Sequence, residues 1–252
     1  MSELRVATIE PEGATTSLTL GASGDTVTSS ADSIKANTFK DAGGNTLWTS
    51  NGAGVLSSVN AGLAPTTGLK LLQTTTTSGN AESVAFTSGI DSTYDEYLFV
   101  WHNCFQVSAT NGYFQFQCST DGGSNYNLAK AWTFSYPTAN WSNGTATSLG
   151  FNNWITNDSA RGFTYITLGY NCSANQNEGW VGQLRLFNPA STTYVKHFMA
   201  ETMLATSNDY LWAPFVSGYF NTTSAINAIN FKITEESTYF WNGAKFYMYG
   251  VT

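Results

Sequence analysis

Trp141, Phe151 and Trp154 carry the plainest chemical signal in the chain, because they stand among amides and turn residues and fit no apolar-polar alternation. They lie within the stretch Tyr136 to Asp158. An aromatic face stacks on the CH surface of a sugar ring while neighbouring amides satisfy its hydroxyls, so Trp141, Asn143, Trp154 and Asn157 are the expected glycan-binding residues. The competing reading is that these aromatics cover a sheet edge or a subunit interface, where Trp and Tyr are also enriched.

Cleaving a bound glycan would take two carboxyls facing each other about 5 to 10 Å apart across the scissile bond. The carboxyls from Asp91 to Glu236 fall mostly at turns, and the adjacent pairs Asp95-Glu96 and Glu235-Glu236 would point to opposite faces of a strand. No pair is singled out, and a non-enzyme is expected. Ser119-Thr-Asp-Gly-Gly-Ser-Asn-Tyr126 resembles the Asp-box of sialidase propellers, but it occurs once, and the only arginines to meet a substrate carboxylate are Arg5, Arg161 and Arg185. A tight hairpin is the expectation there, with Asp121 accepting turn amides and Gly122 and Gly123 at positive φ.

His102 and His197 lie inside expected strands with no nucleophile motif beside them, so packed or hydrogen-bonded histidines are expected. No metal site or cofactor is expected, since ligands at short spacing are missing. The three cysteines, Cys104, Cys118 and Cys172, show neither CxxC spacing nor a nearby His cluster and read as small buried hydrophobes. A bridge between Cys104 and Cys118 stays open at this point.

Composition narrows the partners. A formal charge of −7, only ten Lys and Arg residues and no basic run argue against nucleic acid or anionic lipid. No window approaches the roughly 20 apolar residues of a membrane span, and Met1 to Pro11 carries charges where a signal peptide has an apolar run. A soluble chain made without a cleaved leader is the expectation. The N-x-S/T triplets, such as Asn140 and Asn221, are then chance products of an Asn-, Ser- and Thr-rich sequence.

The elements that must position these residues follow from an uneven aromatic distribution: of 37 aromatics, only Phe39, Trp48 and Phe86 precede Tyr94. The first part of the chain has too little apolar surface to offset about 1 to 2 kcal/mol of backbone entropy per ordered residue, so copies of the chain must share a core. Its candidates are Leu18, Leu20, Val27, Ile34, Leu47, Leu56 and Val59. After it, Gly68 to Asn80 with its threonine run reads as a hinge, in which Leu69, Leu71 and Leu72 can form one last strand.

Short alternating runs then mark strands at 82–86, 96–107, 113–118, 165–170, 179–187, 193–199, 228–233 and 245–251. Only His197 to Ala205 gives pause as a helix. The expected fold is all-β, an elongated trimerising stem over residues 1–75 followed by an antiparallel, jelly-roll-like β-sandwich head over residues 76–252.

Leu18-Thr-Leu-Gly-Ala-Ser-Gly-Asp-Thr-Val27, Asn37-Thr-Phe-Lys-Asp-Ala-Gly-Gly-Asn-Thr-Leu47 and Asn51-Gly-Ala-Gly-Val-Leu-Ser-Ser-Val-Asn60, after the opening Ser2-Glu-Leu-Arg-Val-Ala-Thr-Ile9, resemble the amino-terminal parts of tail-fibre and other virion surface proteins of marine bacteriophages. The resemblance covers residues 1 to 65. It implies a homotrimer that attaches to other virion proteins through its amino-terminal end. The resulting expectation is a short tail fibre or fibre-like appendage on the virion exterior (tail or capsid), made in the cytoplasm of a bacterial host and adhering to a host surface glycan or outer-membrane component. The alternatives are a capsid head-decoration or head-fibre protein and, behind it, a glycan-depolymerising spike.

Overall fold

The computed structural model describes residues 38–41, 43–50, 53, 56–59, 68–107, 112–140, 146–152, 165–170, 178–205, 210–234, 240 and 242–252. The chain divides into two compact units, Met1–Pro65 and Thr66–Thr252. Every regular element among the described residues is a strand, and every pairing is antiparallel.

In the first unit, β1 (Thr38–Lys40), β2 (Thr46–Ser50) and β3 (Leu56–Val59) form one small sheet. Asp41 closes its first turn by accepting from the Asn45 main-chain N–H at 2.8 Å, and Gly44 takes φ 83°. Phe39 and Trp48, paired across β1 and β2, stack at 4.4 Å. Of the expected shared-core residues, Leu47 is half-buried and Val59 is 47% exposed. Leu56 lies in β3, and Leu18, Leu20, Val27 and Ile34 lie outside the described residues.

The second unit starts earlier than the sequence suggests. β4 (Leu69–Thr76) pairs along its length with β16 (Lys245–Val251), from Leu69 opposite Val251 to Thr76 opposite Lys245. The stretch expected to be a hinge is thus an edge strand, and the boundary falls at 65/66 where 75/76 was expected. An edge ladder is held by main-chain bonds, which β-branched threonines suit without any apolar partner. Gln73 adds a side-chain bond to the Ser88 carbonyl at 3.0 Å.

The remaining strands build a two-sheet sandwich. The smaller sheet runs β10 (Ile166–Tyr170), β7 (Tyr113–Ser119), β15 (Ala228–Thr234), β5 (Ser83–Phe86). The larger begins β4, β16, β6 (Glu96–Cys104), β11 (Trp180–Phe187), β12 (Lys196–Ala205). Beyond β12 one position is shared by β13 (Tyr210–Trp212) and β14 (Phe215–Phe220), interrupted at Ala213-Pro214, and then come β8 (Lys130–Asn140) and β9 (Ala146–Asn152). The segment 197–205 is strand, with inward residues alternating against outward Met199 and Met203.

Aromatic side chains fill the space between the sheets. Phe114 meets Trp101 at 5.3 Å, Phe116 meets Phe198 at 5.1 Å and Phe231 meets Phe246 at 5.5 Å, each contact joining one sheet to the other. Each such fully buried side chain contributes about 1.5 to 3 kcal/mol. Two cross-strand positions need glycine: a Cβ on Gly182 would come 2.2 Å from the Glu201 carbonyl, and one on Gly218 would come 2.3 Å from the Ala131 carbonyl.

The sandwich has two distinct ends. At one, Gly68 and Thr252 exchange main-chain bonds of 3.2 and 3.0 Å where the chain enters. At the other lie the paired residues Trp180 and Cys104, Leu204 and Trp212, and Tyr170 and Tyr113.

Candidate functional site

The entry end is held by capped turns. Ser119 to Tyr126 joins β7 of one sheet to β8 of the other, so it is a crossing between sheets and not the expected hairpin. Its chemistry is as anticipated. Asp121 accepts from the Ser119 hydroxyl at 2.6 Å, the Asn125 main-chain N–H at 2.9 Å and the Asn125 side-chain amide at 2.7 Å, while Gly122 and Gly123 take φ of 72° and 90°. These donors hold the Asp121 carboxyl at a pKa of about 2, the serine and then the asparagine contributing most. Such an acid is a turn cap. Asp91 is likewise held below its ordinary pKa by the Thr93 side chain and then by the Thr93 main-chain N–H, from which it accepts at 2.8 Å.

Lys196 also works at this end, fully buried, with Nζ donating to the carbonyls of Tyr194 at 2.7 Å and Thr222 at 3.3 Å. Burial lowers its pKa. It ties the connection before β12 to the one after β14.

The two histidines and the described cysteines are packed side chains, and Cys172 lies outside the described residues. His102 Nε2 lies 3.2 Å from the Tyr247 hydroxyl with the rings stacked at 5.6 Å, and the exposed His197 tilts against Tyr219 at 5.9 Å. Cys104 and Cys118 are both buried thiols, on different sheets and toward opposite ends, and form no bridge with each other. Burial raises the Cys118 thiol well above its ordinary value, against a smaller opposing pull from Lys130. Among the described residues no group of His, Cys, Asp and Glu is placed to hold a metal ion, and no helix is long and apolar enough to cross a membrane.

The far end differs in kind. Tyr113 of β7 and Tyr170 of β10 stack at 4.5 Å and 27°, and Tyr136 of β8 and Trp212 of β13 stack at 4.9 Å and 24°. Tyr170 and Trp212 meet at 6.1 Å, which links the two pairs into a row that crosses from the smaller sheet to the larger. Phe134, itself buried, anchors the row to the core through Tyr136 at 5.6 Å. All four of Tyr113, Tyr170, Tyr136 and Trp212 are half-buried, packed against one another and still partly exposed.

Strand geometry explains the row. Tyr136 is inward in the alternation Trp132, Phe134, Tyr136, and Trp212 is inward on the short strand paired to the same end of β8. The sequence marks Tyr136 as the first residue of the Tyr136 to Asp158 stretch. Tyr113 and Tyr170 pass there as ordinary strand aromatics and Trp212 falls in no expected strand; only the arrangement of the two sheets brings them together. The expected glycan-binding residues Trp141, Asn143, Trp154 and Asn157 lie outside the described residues.

No family model, curated protein or solved structure matches the chain.

Proposed function

We infer that the protein is a non-enzymatic bacteriophage virion protein, a trimeric tail fibre or fibre-like appendage, whose jelly-roll head adheres to a host surface glycan through the far-end aromatic row. The observation that carries the adhesive role is the row itself. Four half-buried Tyr and Trp rings, locked by mutual stacking, offer apolar surface beside polar tips at little conformational cost, which is the chemistry a sugar with CH faces and hydroxyls requires. Three such heads on one trimer would raise avidity without any new contact, because the second and third engagements become intramolecular.

Two further points support the reading. The strand orders β4-β16-β6-β11 and β5-β15-β7-β10 alternate between sheets as a jelly roll does, with β8, β9, β12, β13 and β14 added at one side. Residues 1 to 65 resemble the amino-terminal parts of marine phage fibres, where virion attachment resides. Cryo-electron microscopy of the particle tests the assignment: density for this chain on the tail supports it, and density on the capsid shell would make it a head-decoration protein instead.

A further inference from the structure

The outer face of the larger sheet is a second unexplained surface. Val181, Met199, Met203, Leu211 and Tyr219 all point outward from it and are 37% to 52% exposed. Val181 stands opposite Met203 and Met199 opposite Arg185, whose guanidinium is engaged by Glu96 at 3.0 Å. Where β13 and β14 break at Ala213-Pro214, a groove of about 530 Å³ opens, lined by Val100, Val181, Met203, Pro214 and Phe215. Glu201 and Gln183, bonded to each other at 3.3 Å, form its polar side. A face rich in Met and aromatics and sparing in free charge has the composition of an interface core.

A second apolar patch lies on the same sheet at its edge. Leu69 and Leu71 of β4 are 56% and 52% exposed, beside Val251 and Tyr249. The register carries Leu71 through Tyr249, Leu98 and Arg185 to Met199, so edge and face stand at the same level along the strands.

We propose that the occupant of this face is a second copy of the chain, docked edge to face: Leu69 and Leu71 of one head pack on the Val181, Met199 and Met203 surface of the next. The inference rests on the trimer reading above. Closing three copies into a ring takes a heterologous contact between two different patches, and this head carries two that match in level and character. With strands about 4.8 Å apart and residues rising about 3.4 Å, the face from β6 to β14 is roughly 20 Å square. That is on the order of half the ~800 Å² each partner gives to a standard interface, so each edge-to-face contact is a small one.

Cysteine pairing in the full-length protein tests this. Under mild oxidation, Leu71→Cys combined with Met199→Cys should give covalent species up to three chains, and neither single variant should exceed the wild type. Leu69→Cys with His197→Cys, at the neighbouring level, serves as a second pair if the first disturbs folding. A mass of three chains by light scattering without cross-linking in either pair would overturn the edge-to-face contact while leaving the trimer standing. Self-linking by Met199→Cys alone would show two-fold pairing and overturn it equally. A mass of one chain would remove the trimer and this contact together.

Discussion

The rings of Tyr136 and Trp212 stack at 4.9 Å and 24°, joining a long strand of the larger sheet to a three-residue strand that pairs with its far end. This contact fixes the middle of the aromatic row. Its strength is measurable apart from any ligand: a double-mutant cycle with Tyr136→Ala and Trp212→Ala should give a coupling of about 0.5 to 1.5 kcal/mol in thermal or denaturant unfolding. Additive losses would mean that the two rings are held independently by the core.

The unit boundary gives a second prediction. Deleting residues 1–65 should leave a head that unfolds cooperatively, because its aromatic core lies wholly within Thr66–Thr252. Deleting 1–76 also removes β4, uncovers the β16 edge and strips the half-buried Leu72 from the core. That longer deletion should cost about 2 to 4 kcal/mol more. Equal melting temperatures for the two fragments would show that β4 contributes nothing to the sandwich.

Acid should weaken the entry end through Asp121. Its folded pKa of about 2 lies below the ordinary 3.8, so its contribution is complete above 3.8 and is lost as the pH falls toward 2. The melting temperature of the wild type should drop more steeply over that interval than that of Asp121→Asn, which has no carboxylate to protonate. Parallel curves for the two proteins would show that the cap does not couple to folding.

The sequence shows most of the sandwich and little of the site, for physical reasons. A strand such as β16 alternates cleanly because one face is core and the other is not. β8 passes unnoticed because Pro137 interrupts it, although the missing N–H is tolerated and the Pro137 carbonyl accepts from Ala213 at 3.2 Å. β14 is masked by Gly218, which the close approach of Ala131 demands. β4 reads as a hinge because local pattern cannot reveal a ladder to residues some 170 positions away. The aromatic row escapes for the same reason: Tyr113, Tyr170 and Trp212 are far apart in sequence, and their nearness is a product of sheet order.

The most direct test of the adhesive reading is equilibrium binding of the full-length protein to immobilised bacterial surface polysaccharides, comparing wild type with Tyr113→Ala and Tyr170→Ala. The row predicts saturable binding by the wild type and at least a tenfold loss, about 1.4 kcal/mol, in each variant that remains folded by thermal melting. Undiminished binding by both variants, or no saturable binding by the wild type to any surface polysaccharide of its host, would contradict the account.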